Sequence, residues 1–153
     1  MTKKYPVAPT QFINVLVTAL PVVDEATKQV RYETSFEPEA IKVTAPDTVI
    51  NYQLVGPTPE HVRFESMSVT PDGSQLSTPS IGRSGKIVTF SNANTKAETL
   101  NVTLHFIDGD QSRFAVDPEI KNEPPPTRAA ALTAMAFAVD PEEPNSPPPT
   151  RFA

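Results

Sequence analysis

The sequence predicts an all-β protein, an antiparallel β-sandwich of about eight strands with a proline-rich, largely irregular C-terminal tail. Three observations carry this: short β-branched and apolar runs, turn residues between them at regular spacing, and a late shift in composition. The chain has 153 residues and 18 prolines, and nine of the prolines fall between Pro118 and Pro149. That length accommodates one domain with a real core and appendages. The expected division is a flexible segment over 1–10, a sandwich over 11–123 and a tail over 124–153.

Phe12 to Leu20 reads FINVLVTAL, and Val30 to Phe36 reads VRYETSF with apolar and polar residues alternating. The polar stretch between them suits a hairpin turn. Strand-length runs follow at 40–44, 48–55 and 62–70, punctuated by Ala45-Pro46-Asp47 and by Gly56-Pro57-Thr58-Pro59. Pro71 to Gly85 reads as a long polar loop. The pattern resumes at 86–92 and 98–107, where Leu100, Val102, Leu104 and Phe106 share one face opposite Asn101, Thr103 and His105. Asp108-Gly109-Asp110-Gln111 is a hairpin turn into a last strand over 112–118.

Residues 113–128 (RFAVDPEIKNEPPPTR) return at 136–151 as AFAVDPEEPNSPPPTR, with 12 identities in 16 positions. The alanine-rich stretch between the copies, 129–135, permits only two helical turns, too few for a stable isolated helix. The triple prolines at 124–126 and 147–149 favour extended polyproline geometry. Two copies of one strand cannot fill one slot in a sandwich. The second either competes with the first, hangs free, or enters a neighbouring molecule as an added strand.

Formal net charge is −5, and the basic residues are scattered singly apart from Lys3-Lys4. Neither nucleic acid nor an anionic membrane is an expected partner. With no cysteine, disulfides, thiolate catalysis and zinc-thiolate sites are excluded. His61 and His105 have no metal-ligand spacing, so no metal or cofactor is expected. The opening MTKKYPVAPTQ lacks the apolar core of a signal peptide, and no later run is long enough to span a bilayer. The cytoplasm is the expected location. Gly82-Arg83-Ser84-Gly85-Lys86 imitates the end of a phosphate loop, but Ile87 follows and a strand rather than a helix comes next.

The chemistry singled out is Asp117-Pro118, at the end of the last domain strand, with Asp140-Pro141 as its copy. Proline gives a tertiary amide with a weakened trans preference. The aspartate carboxyl reaches its own main-chain carbonyl through a five-membered ring, or activates a water against it. Pro118 has no N–H, so the competing succinimide route is blocked, and Asp117 acts through a cyclic anhydride or a general-base water. Register sets the environment. If Ile107 pairs with Ser112, Asp117 lies opposite Val102 and points inward; a one-residue bulge turns it outward beside Asn101 and Thr103. Both arrangements are open at this point. Most Asp-Pro bonds in folded proteins are inert turn starters.

The run VDPEIKNEP at 116–124, with Asp-Pro followed by Glu-Pro on the last strand of a short all-β chain, resembles the small bacterial DP-EP family. The resemblance spans roughly residues 10 to 125. It implies a β-sandwich that cleaves itself at Asp-Pro and keeps the C-terminal piece as a bound strand. Asp117 is then the cleaved and catalytic residue, Pro118 the leaving residue and Glu123-Pro124 the second dipeptide. Lys96 and His105 are candidate helpers, the first to orient the carboxylate and the second to protonate the leaving nitrogen; Glu98 and Ser112 are weaker candidates. The function expected is a single-turnover endopeptidase of aspartate type acting on itself, with strand retention or exchange and the chain itself as partner. The alternative is a non-enzymatic structural or binding module whose tail or edge strands engage a partner.

Overall fold

The computed structural model describes residues 9–71 and 73–126. Ten strands alternate in burial with period two, which lets two sheets close over one apolar layer. They are β1 (Phe12–Val23), β2 (Val30–Glu37), β3 (Ile41–Val43), β4 (Thr48–Leu54), β5 (Arg63–Thr70), β6 (Ser80–Ile81), β7 (Ile87–Asn92), β8 (Glu98–Ile107), β9 (Arg113–Val116) and β10 (Glu119–Asn122). One sheet runs β2-β1-β4-β7-β6; the other runs β3-β10-β8-β5, with β9 also on β8. The expected sandwich is present. Most pairings are antiparallel, but β1 with β4 and β3 with β10 are parallel.

The core is built from inward residues of both sheets. Val15 and Val17 of β1 and Ile50 and Tyr52 of β4 meet Leu100, Val102, Leu104 and Phe106 of β8, all of them buried. β8 is the central strand of its sheet because four successive alternate positions are large and apolar. Pro71 to Gly85, read as a loop, carries a 3-10 turn at Gly73–Gln75 and the short strand β6. The last strand also continues past Pro118 as β10. The two copies of the repeat diverge within that continuation. The second copy, with Asp140 and Pro141, lies outside the described residues, as does most of the expected N-terminal segment.

The β8-β9 hairpin sets the register of everything after it. Asp108 N–H donates to Ser112 O at 3.0 Å and Gln111 N–H to Asp108 O at 3.0 Å, so only three residues make the loop. Gln111 takes the left-handed conformation, φ 66°, the arrangement of a type I turn followed by a bulge residue. The Asp108 side chain locks it: Oδ1 accepts from Asp110 N–H at 2.8 Å and Ser112 N–H at 3.0 Å, and Oδ2 from the Tyr32 hydroxyl at 3.0 Å. His61 Nδ1 accepts from Gly109 N–H at 3.0 Å on the other side.

Burial pushes the Asp108 carboxyl up, but the hydrogen bonds from Ser112, Tyr32 and Asp110, with His61 nearby, outweigh it and hold the carboxyl below its ordinary value of 3.8. A depressed carboxyl stabilises the fold above its unfolded pKa and loses that contribution as pH falls through the folded value. Urea midpoints measured from pH 7 down to pH 2 are therefore expected to fall below about pH 4. Asp108→Asn should flatten that part of the curve, and an unchanged slope would show that the hairpin carboxylate carries none of the acid sensitivity.

Candidate functional site

Register through Asp117-Pro118 is unbroken. On one side Leu104 faces Val116, and on the other Asn101 faces Glu119. Thr103 is thus opposite Asp117 and Val102 opposite Pro118, and Val102 N–H donates to Pro118 O at 3.0 Å. Of the two arrangements open at the sequence level, the bulged one is realised. Asp117 points outward and is exposed, while Pro118 is buried. Proline is tolerated in mid-strand here because only one bond of the pair is lost; its carbonyl still accepts.

Thr103 Oγ1 donates to Asp117 Oδ1 at 2.7 Å. The bond holds one carboxylate oxygen over the neighbouring strand and restricts the side chain. Because Val102 and Pro118 form a hydrogen-bonded pair, Thr103 and Asp117 form a non-hydrogen-bonded one, and the ladder's alternation turns the Asp117 carbonyl away from β8. On that side β3 supports only β10, from Ile41 opposite Ile120 onward. The peptide bond between Asp117 and Pro118 borders a shallow hollow lined also by Ser35, Phe36, Glu39 and Ala40. The scissile candidate is therefore held on both flanks and open at its carbonyl.

The helpers are placed unequally. His105 is on β8 opposite Ala115, two residues from Thr103 on the same face, roughly 7 Å along the strand. Its Nε2 lies 3.3 Å from Ser68 Oγ. Lys96 precedes β8 and pairs with Glu98 at 3.7 Å. Glu98 faces Asn122, five positions beyond Asp117, or roughly 17 Å at strand rise. Lys96 and Glu98 are not brought to the Asp-Pro bond, and Ser112 is in the hairpin, engaged with Asp108. Glu123 of the second dipeptide pairs with Lys121 at 3.4 Å and Lys42 at 3.9 Å. Its N–H donates to Val43 O at 2.8 Å, which ties the end of β10 to β3.

Sequence reasoning passed over Glu39, a carboxylate that lines the hollow together with Glu119, because only the crossover from β2 to β3 brings it there. Thr103 was legible as one outward neighbour in one of two registers. Among the described residues, no group of three or more histidine, aspartate or glutamate side chains could hold a metal ion. No helix among them is long and apolar enough to cross a membrane.

Among curated proteins, none matches the chain. The sequence profile of the DP-EP family matches residues 11–124, from the residue before β1 to the second dipeptide. With three quarters of its length covered and both dipeptides inside the match, the chain belongs to the DP-EP family.

Proposed function

We propose that this protein processes itself at the Asp117–Pro118 bond and retains the C-terminal piece as strand β10. The observation that carries the reading is the continuous register on β8. β9 holds the upstream side through its hairpin, and the downstream side is held by Val102 N–H, by the buried Ile120 and by β3. The carboxylate of Asp117 attacks its own carbonyl carbon, the C–N bond to Pro118 breaks and the proline nitrogen takes up a proton. Water then opens the anhydride, so one water is consumed and two carboxyls remain at Asp117. The site is used once, because the attacking residue becomes a new C-terminus.

Thr103 is a positioning residue in this scheme. Intact mass followed for several days at neutral and mildly acidic pH is expected to show a break after Asp117, with the pieces co-eluting until denatured. Asp117→Ala should remain whole, and Asp140→Ala should still be cut after Asp117. Thr103→Val should slow scission roughly tenfold to a hundredfold, the cost of a misplaced reacting group, while Thr103→Ser restores it. A wild-type chain that stays intact would sink the reading.

One observation favours the second reading, a non-enzymatic binding module. Among the described residues β9 pairs only with β8, so its other edge is open to an added strand.

A further inference from the structure

The slot that receives residues 113–122 treats the two copies of the repeat differently along its length. In the upstream half, Phe114 stacks on Tyr32 at 4.3 Å and on Phe106 at 4.8 Å, Asp117 accepts from Thr103, and Pro118 is buried. All three recur as Phe137, Asp140 and Pro141. In the downstream half they part. Ile120, with 0% exposure between the buried Ile41 and Leu100, is replaced in the copy by Glu143, and Lys121 by Pro144.

A glutamate in the Ile120 position would bury a carboxyl among aliphatic side chains, charged without a partner or forced to take up a proton. The second replacement fails for another reason. Glu123 N–H bonds to Val43 O, so by the alternation of the ladder the Lys121 N–H also faces β3. Proline there has no hydrogen to give, and its ring would stand between two paired strands. Copy two can imitate β9 but not β10.

We infer that Ile120 and Lys121 are the specificity-determining residues of this processing. The slot holds the first copy on both flanks of its Asp-Pro bond and rejects the second, so Asp117–Pro118 is cut and Asp140–Pro141 stays whole. A neighbour's tail equally fails to displace β10, which makes retention, rather than exchange, the fate of the released strand. The inference rests on the self-processing reading for its cleavage half, and on the slot alone for its exchange half.

Full-length wild type and full-length Glu143→Ile/Pro144→Lys are to be compared by intact mass during incubation and by native mass. Wild type is expected to break after Asp117 at least a hundredfold faster than after Asp140, and to remain monomeric. The double variant, whose tail now fits the whole slot, is expected to form exchanged oligomers that Phe137→Asp abolishes. Comparable cleavage after Asp140, or wild-type oligomers that Phe137→Asp abolishes, would overturn the inference while leaving self-processing in place. A chain cut nowhere would sink the processing reading and with it the cleavage half. Oligomers in the double variant alone would still support the discriminating slot, and identical behaviour of the two proteins would overturn it.

Discussion

Replacing Phe106 with alanine is expected to destabilise the fold by about 3–5 kcal/mol, the range for emptying a large aromatic site in a close-packed interior. Phe106 has no exposed surface. It lies against Phe64 with ring centres 5.0 Å apart and stacks on Phe114 at 4.8 Å, within 7° of parallel. Phe114 in turn stacks on Tyr32 at 4.3 Å and 8°, so three rings from β2, β9 and β8 form a column that joins the two sheets. Removing the bottom ring leaves a cavity and takes away the support of the middle one. The middle ring is, with Val116, one of the two apolar anchors of β9 that come between the hairpin and Asp117.

The melting temperature is therefore expected to drop by on the order of 15 °C or more, and scission after Asp117 should slow in the molecules that remain folded. Phe114→Ala separates the two effects. Phe114 is only half-buried, so its loss should reduce stability less than that of Phe106 while disturbing Asp117 as much. Thermal unfolding by circular dichroism, with intact mass on the same samples, reads both. A Phe106→Ala protein as stable as wild type would mean that the column does not hold β9 to the core.

The column also marks where the sequence was legible. Leu100, Val102, Leu104 and Phe106 announce an inward face by simple alternation, and all four are buried. That face needs no knowledge of the rest of the chain. The parallel pairings of β1 with β4 and β3 with β10 leave no such local mark, because they join segments that no hairpin connects. β10 was missed for a different reason. Proline normally ends a strand, and nothing in the sequence says that Pro118 falls where its carbonyl, rather than its absent N–H, carries the pairing.

The orientation of Asp117 depended on one residue of hairpin geometry. In the Asp108-Gly109-Asp110-Gln111 turn the glycine is the obvious candidate for a left-handed backbone, yet Gln111 adopts it, with φ 66°. That shortens the loop to three residues and shifts Asp117 from Val102 to Thr103. The Asp108 side chain, with its three hydrogen bonds, is what makes the arrangement affordable to a non-glycine residue. Candidate residues on the same strand face, Thr103 and His105, could be judged from sequence once that register was known. Lys96 and Glu39 could not, since their positions depend on loops that cross between the sheets.

Asn122→Ala is expected to destabilise the protein by about 2–3 kcal/mol, far more than a strand-end asparagine would suggest, because its amide is buried and reciprocally paired. Asn92 Nδ2 donates to Asn122 Oδ1 at 2.8 Å and Asn122 Nδ2 to Asn92 Oδ1 at 3.1 Å, with exposures of 0% and 1%. Asn92 belongs to β7 and Asn122 to β10, so the pair is a polar clasp between the two sheets. Truncating one member strands the other's donor in the interior, whereas replacing both with leucine removes the polar groups together. Asn92 Oδ1 also accepts from Asn94 N–H at 3.0 Å, which keeps the double replacement from being neutral. A double-mutant cycle in urea should still return a coupling of about 1–3 kcal/mol; strictly additive losses would mean that the two amides act independently. The clasp bears on the proposed processing through β10. In that proposed scheme, scission of the Asp117–Pro118 bond leaves no covalent link to oppose departure of the C-terminal piece, and about 2–3 kcal/mol lost at its far end weakens its hold by roughly thirtyfold to 150-fold. Native mass of cleaved Asn122→Ala should accordingly show domain without its strand at concentrations where the cleaved wild type stays whole.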